Sequence, residues 1–249
     1  MTEETTLIYG KHAVREALMA MPSVVRTVFT AKDFDDSEFM EIVRQTKVAR
    51  ASFDGQKPPK GVSLDAVHQG VVASIAVDEL IVDFDSFIET LTISPDTALV
   101  ILGEVQDPHN VGAVIRSAAA FGVAGILIPE HRQAPITGTV IKVSAGMAFR
   151  VPLVSIGNVN QAVHTLKERG FWIYGLEGEA AQTIYEEGFE KPSAFILGNE
   201  ATGIRKKTLE HCDIPLRIPM HARAESLNAS AAAAVVLSAW SIKHPSALR

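Results

Sequence analysis

Polar residues that could do chemistry cluster at three places in the second half of the chain, each after an apolar run typical of a strand. The first cluster, Glu104 to Gly112, leads into an apolar helical segment that carries Arg116. An arginine among apolar neighbours needs a carboxylate or phosphate partner if it is buried. The pattern therefore predicts either a structural ion pair or a site that stabilises negative charge. Asp107 or Asn110 could also simply cap that helix.

The second cluster runs from Gly198 to Gly203. Its glycines allow tight turns and the close approach of a ligand. Glu200 is the only carboxylate in this loop, so it could pair with Arg116. Lys206 does not directly follow the second glycine, so the spacing is not that of a phosphate-binding P-loop. On its own, this cluster predicts a ligand-contacting turn without naming the ligand.

The third cluster, Ser226 to Ser230, precedes a long alanine-rich helical segment that extends to Lys243. Ser226 is the predicted N-cap of that helix. Asn228 and Ser230 would then lie just inside it, where their helix propensities are poor. A helix N-terminus with several polar side chains can bind a carboxylate or a phosphate.

Several familiar sites are missing from the sequence. No Gly-x-Gly-x-x-Gly follows a predicted strand, which disfavours a nucleotide-binding oxidoreductase. The eight histidines show no metal-ligand spacing, and the single cysteine, Cys212, excludes a zinc ribbon. Cys212 is predicted to be a core thiol, and no metal is expected.

Composition limits the class of protein. The chain has 249 residues, 47% of them hydrophobic, and a net charge of −6. The negative charge disfavours a protein that coats nucleic acid nonspecifically, although a local basic edge remains compatible. One such edge spans Arg44 to Lys60; a solvated surface explains it equally well. The polar N-terminus, the lone cysteine and the absence of a long apolar run predict a cytoplasmic protein with no membrane contact.

The predicted elements suggest two domains. Residues 1–77 have short strand and helix patterns typical of a small α/β domain. Residues 78–96 begin with a run rich in acids and lacking Lys and Arg up to Glu89, which predicts a linker or a surface helix. Residues 97–249 alternate apolar strands with helices. This alternation predicts a mainly parallel sheet covered on both faces.

Taken in order, the three clusters resemble the motifs of the SpoU family of RNA 2′-O-ribose methyltransferases, in the SPOUT class. The matching segments are Asp107 to Ala118, Leu197 to Ile204, and Ile218 to Met220 together with Glu225 to Ser230. Near the N-terminus, Tyr9 to Val14 and His68 to Gly70 resemble the start and end of the family's substrate-binding domain. The arrangement is most similar to bacterial enzymes that methylate a guanosine ribose in 23S ribosomal RNA.

The resemblance implies a Rossmann-like α/β catalytic domain with a deep C-terminal trefoil knot, S-adenosylmethionine as cofactor, a ribosomal RNA substrate and a homodimer. Carried over residue by residue, it implies that the reacting hydroxyl is surrounded by Asn110, Arg116, Glu200, Ser226, Asn228 and Ser230. The implied cofactor contacts are Leu197, Gly198, Ile218, Met220 and Leu227. A guanidinium hardly deprotonates in proteins, so Arg116 is expected to stabilise the developing oxygen charge rather than to act as a base.

Two alternatives stay open at this stage. A tRNA 2′-O-methyltransferase is disfavoured because such relatives commonly lack the N-terminal domain. A non-catalytic knotted RNA-binding or assembly factor is disfavoured because the implied catalytic residues are all present. The segment Ser144 to Arg150 departs from the family pattern, since Met147 and Phe149 are bulkier than expected. That departure leaves the target base undetermined.

Overall fold

The computed structural model describes residues 5–199 and 202–249. Its first part is a four-stranded sheet in the order β1-β4-β2-β3, in which only the β2–β3 pair is parallel. The elements are β1 (Thr5–Tyr9), α1 (Lys11–Ala20), β2 (Val25–Ala31), α2 (Ser37–Thr46), β3 (Ala49–Phe53) and β4 (Val71–Ala76). Strand β3 is mostly exposed, and Phe53 is the one buried residue in it, so it lacks the run of large apolar residues by which a strand is recognised from sequence.

The second part is an eight-stranded sheet in the order β10-β12-β9-β11-β6-β7-β8-β5, and every described strand pair in it is parallel. This confirms the α/β class and the parallel sheet. The elements are β5 (Ile81–Asp83), α3 (Phe84–Thr90), β6 (Ala98–Leu102), α4 (Pro108–Ala120), β7 (Gly125–Pro129), α5 (Gly138–Val143), β8 (Leu153–Ile156), α6 (Val159–Glu168), β9 (Trp172–Leu176), β10 (Gln182–Thr183), β11 (Ser193–Leu197), α7 (Lys206–Leu209), β12 (Ile214–Arg217) and α8 (Ala229–Lys243).

Helices cover both faces of the large sheet. Alternate residues of β6 enter different cores: Val100 joins the core that includes α4 and α8, and Leu99 joins the core that includes α3 and α6. Every residue of β6, β7 and β11 is buried. Burial on both faces explains why these strands are continuously apolar instead of alternating.

Three local expectations differ from the structure. The acidic segment contributes a strand, β5, that pairs with β8 at the edge of the large sheet. The residue pattern from Thr137 to Met147 predicts one helix, but the helix ends at Val143, because Ala145 and Gly146 have positive φ, and a 3₁₀ turn follows at Met147–Phe149. The sequence offers Asp35 or Ser37 as the N-cap of α2, but the N-cap is Asp36, which lies between them. Among residues 5–199 and 202–249, no helix is long and apolar enough to cross a membrane.

Candidate functional site

The first two clusters start side by side because β6 and β11 are parallel neighbours. Leu102 and Leu197 are paired in register at the ends of these strands. Just beyond them, the Gly103 N–H donates to the Leu197 carbonyl (2.6 Å), and the Asn199 side-chain amide donates to the Glu104 carbonyl (2.9 Å). Loops at the carboxyl ends of parallel strands are where α/β folds bind ligands.

Glu104 links the two loops a second time. Both of its carboxylate oxygens approach one guanidinium nitrogen of Arg205, at 2.8 and 2.9 Å. Its backbone has φ 69°, a left-handed conformation that is uncommon for a residue other than glycine. Sequence reasoning missed this residue as a functional candidate. An acid directly after a buried strand was the only available signal, and its partner lies 101 residues away.

The second cluster closes on itself. Asn199 and Gly203 exchange reciprocal backbone hydrogen bonds of 3.0 and 2.9 Å. A Cβ on Gly198 would lie 2.3 Å from the Gly203 carbonyl carbon, so only glycine fits there. Glu200 lies outside the described residues, and its predicted pairing with Arg116 therefore stays a prediction.

The third cluster meets the first across 118 residues of sequence. The Asn228 amide donates to the Asn110 side-chain oxygen at 2.8 Å. The Asn228 oxygen accepts from the Ser230 hydroxyl (2.6 Å) and the Ser230 N–H (2.9 Å). Helix α4, which carries Asn110, packs along α8, which carries Ser230. The structure thus unites three of the predicted catalytic residues, which we call the asparagine junction (Asn110, Asn228 and Ser230).

The predicted start of the last helix was wrong by two residues. Helix α8 begins at Ala229, and its N-cap is Asn228 rather than Ser226. Ser226 is exposed and precedes that cap. The cap of α4 is Asp107, whose carboxylate accepts from the His109 N–H at 2.8 Å. Asn110 therefore does not cap the helix, and it lies buried inside α4, at 7% exposure.

Arg116 differs from the other predicted residues on α4. It lies on the exposed side of the helix, and within the described part of the chain it makes no hydrogen bond or ion pair. Arg116 is therefore not a buried arginine that needs a partner in order to fold, and its pairing with Glu200 stays a prediction. Its five donors are available to an anionic group brought from outside.

The predicted cofactor residues lie along the same edge of the sheet. Leu197 is buried at the end of β11, and Ile218 packs partly against the core just after β12. Met220 and Leu227 lie on the loop between β12 and α8, at 37% and 40% exposure. Exposed apolar side chains on such a loop offer a surface suited to a flat, mostly apolar ring.

No group of His, Cys, Asp and Glu suited to a metal ion occurs among residues 5–199 and 202–249. Cys212 packs against the core that includes α3 and α6, and burial is the main reason why the pKa of its thiol is raised to about 12. A thiol with so high a pKa is a poor nucleophile, which agrees with its predicted core role.

Known proteins match this chain over both of its parts. A sequence model of the SpoU rRNA Methylase family matches residues 97–238. A second one, described as RNA 2′-O ribose methyltransferase substrate binding, matches residues 7–79. The 23S rRNA (guanosine-2′-O-)-methyltransferase RlmB of Vibrio parahaemolyticus is 36% identical over 233 residues, covering 92% of this chain and 94% of that protein. RlmB of Xylella fastidiosa is 42% identical over 177 residues, 71% of each chain.

Among solved structures, the SpoU methyltransferase AviRb from Streptomyces viridochromogenes, in complex with the cofactor AdoMet, superposes with a TM-score of 0.82. It is 22% identical, and the match covers 97% of this chain and 91% of that one. At this identity, the likeness establishes the fold of both parts of the chain.

Proposed function

This chain belongs to the SpoU rRNA methylase family, and from that premise we propose that it methylates the ribose 2′-hydroxyl of a guanosine in 23S ribosomal RNA, with S-adenosylmethionine as the methyl donor. The observation that carries the proposal is the asparagine junction, with Arg116 exposed on the same helix. The names of the relatives supply the RNA and the base. The neighbour solved with AdoMet supplies the cofactor.

The residues fit the chemistry. S-adenosylmethionine supplies a methyl group that is already activated by a positive sulfur. The protein must then hold the ribose oxygen in line and favour the loss of its proton. Arg116 stabilises the negative charge that develops on that oxygen, or holds the adjacent phosphate. Asn228 and Ser230 are polar groups at the N-terminus of α8 and orient the ribose from the other side.

The cofactor surface would be built from Leu197, Gly198, Ile218, Met220 and Leu227. The tight turn at Gly198 and the apolar side chains of Met220 and Leu227 fit an adenosyl group. We also propose the deep trefoil knot of the family for this segment. Its support is topological: the chain leaves β12 at one side of β11 and returns to place Asn228 against α4 at the other.

We propose a homodimer that buries the outer side of α8. This helix is apolar around its whole circumference, yet Val235 is only partly buried and Ile242 is 77% exposed. A helix that is hydrophobic all round is normally buried on all sides. Arg116 is exposed on the neighbouring α4, so a second subunit at this surface would bring Arg116 close to the interface.

We propose the following domains: residues 1–77 bind RNA, residues 78–96 link the two domains, and residues 97–249 catalyse methyl transfer. The N-terminal domain favours ribosomal RNA over tRNA as substrate. Methylation of ribosomal RNA would place the protein in the cytoplasm.

Mapping of 2′-O-methyl positions in RNA from cells with and without this protein tests the proposal. Loss of one guanosine signal in 23S RNA is expected. Loss of a tRNA signal instead would identify a tRNA enzyme. Calorimetry with S-adenosylmethionine separates the remaining alternative, because an assembly factor without catalysis would bind none.

A further inference from the structure

Strand β1 and helix α1 of the N-terminal domain contact one short segment of the large domain. On the large domain, this surface is the segment from Gly138 to Arg150, which contains α5 and the 3₁₀ turn after it. On the small domain, the contacting elements are β1 and α1. We call the surface the docking segment (residues 138–150).

Two glycines of the docking segment allow the N-terminal domain to approach closely, Gly138 against the backbone of Leu7 and Gly146 against the side chain of Glu16. A Cβ on Gly138 would lie 2.2 Å from the Leu7 carbonyl oxygen, closer than any real contact. A Cβ on Gly146 would lie 2.6 Å from the Cβ of Glu16. The Leu7 backbone has no rotamers with which to avoid a Cβ at Gly138, so this position sets how closely the two domains approach.

Charged groups fix the orientation. The Arg150 Nε lies 2.8 Å from a carboxylate oxygen of Glu16, whose side chain is only 12% exposed. The Lys142 ammonium lies 4.5 Å from the centre of the Tyr9 ring, a cation–π geometry. Steric contact and paired charges therefore act at the same surface.

The docking segment also touches the catalytic helix. Helix α5 packs on α4, where a Cβ on Gly112 would lie 2.7 Å from the Cβ of Val143 and 2.8 Å from the Val140 carbonyl oxygen. Gly112 follows Asn110 by two residues. One short element, α5, thus contacts both the N-terminal domain and the helix that carries the predicted catalytic residues.

We propose that four positioning residues hold the N-terminal domain at a fixed distance and orientation relative to the catalytic domain: Glu16, Gly138, Gly146 and Arg150. We call this fixed arrangement the gauge. RNA bound by that domain then presents one nucleotide, at a set distance, to Asn110 and Arg116. The inference rests on the proposed function. It also gives the unusual segment from Met147 to Arg150 a role, because its residues serve docking rather than selection of the base.

The variant Gly138→Ala tests the gauge. Alanine favours a helix more than glycine does, so propensity alone predicts an unchanged or more stable α5. The docked backbone predicts that the added Cβ pushes the domains apart. We expect S-adenosylmethionine affinity to stay within twofold and methylation of the 23S target to fall at least tenfold or to spread to neighbouring nucleotides. The matched control is Gly157→Ala, where the added Cβ would meet no atom within 4 Å.

Charge reversal at Glu16 and Arg150 provides a second, independent test. Each single variant, Glu16→Arg or Arg150→Glu, should lower methylation at the target position, and the double variant should recover at least half of the loss. A merely structural pair would change stability without moving the methylated position. Equal rates and the same position in Gly138→Ala and Gly157→Ala would overturn the gauge.

Small-angle X-ray scattering separates failure of the gauge from failure of the proposed function. The gauge predicts a larger radius of gyration for Gly138→Ala than for Gly157→Ala, whether or not the protein methylates RNA. An unchanged radius would overturn it. A wild-type protein that binds no S-adenosylmethionine would instead overturn the proposed function alone.

Discussion

Asn110 and Arg116 lie six residues apart on one helix, yet their surroundings are opposite. Asn110 is buried, and its side-chain oxygen accepts a hydrogen bond from Asn228. Arg116 is exposed and has no partner within the described residues. The chain therefore completes one half of the proposed site by itself. The other half is left for a group that arrives from outside, either RNA or a second subunit. We call the part around Asn110 the closed half and the part around Arg116 the open half.

The free-energy cost of removing a polar group from water explains the difference. A buried amide loses its water and must be paired within the protein. An exposed guanidinium keeps its hydration and needs no partner until an anion displaces that water. The closed half should therefore contribute to both folding and catalysis, and the open half to catalysis alone.

The largest effect is expected at the open half. Arg116→Ala should lower the rate of methyl transfer about 10²- to 10³-fold, as the loss of one charge-stabilising donor does elsewhere. The free energy of unfolding should change by less than about 0.5 kcal/mol, because the side chain is exposed. Single-turnover kinetics and chemical denaturation measure the two quantities. Near-full turnover of Arg116→Lys would contradict a role for the planar fork.

The closed half should respond differently. Asn228→Ala removes both the cap of α8 and the hydrogen bond to the buried Asn110, so we expect a loss of roughly 2 kcal/mol in the free energy of unfolding, together with lower activity. Asn158→Ala is the matched control. Asn158 caps α6 with bonds of 2.8 and 3.3 Å, and Asn228 caps α8 with bonds of 2.9 and 3.4 Å. The control should cost only about 1 kcal/mol and leave activity intact. Equal losses in the two variants would refute the asparagine junction.

Glu104 tests whether the closed half extends to the second loop. Glu104→Gly suits the left-handed backbone at φ 69° but removes the ion pair with Arg205. If the pair positions the loop, affinity for S-adenosylmethionine should weaken by up to about fivefold, the range of a partly exposed ion pair. Calorimetry measures this. Unchanged or tighter binding would make Glu104 a turn residue only.

The smallest effect is expected at Cys212, which belongs to neither half of the proposed site. Cys212→Ala should leave methyl transfer unchanged. In the wild type, the raised pKa keeps the thiol protonated at pH 8, so alkylation should be much slower in the folded protein than in the unfolded one. A rate at pH 8 equal to that of the unfolded chain would show that burial does not protect the thiol.

The sequence predicted the elements of the large sheet well because their signal is local. Val100 and its neighbours form an apolar run, and such a run between helical patterns identifies a buried parallel strand. Prediction from the sequence failed where the signal is weak or nonlocal. Strand β3 is short and mostly exposed, and the caps of α2 and α8 depend on backbone angles that several adjacent polar residues could satisfy.

Sequence alone determined which residue types are present at each strand end, and the motif order identified the family. Only the tertiary structure decided which of them meet. It paired Asn228 with Asn110, tied Glu104 to Arg205, and set Leu7 against Gly138. Each of these contacts joins residues about a hundred or more positions apart. Hydrophobic periodicity repeats within a few residues, so it carries no information about such distances, and the packing of the two sheets and their helices supplies it.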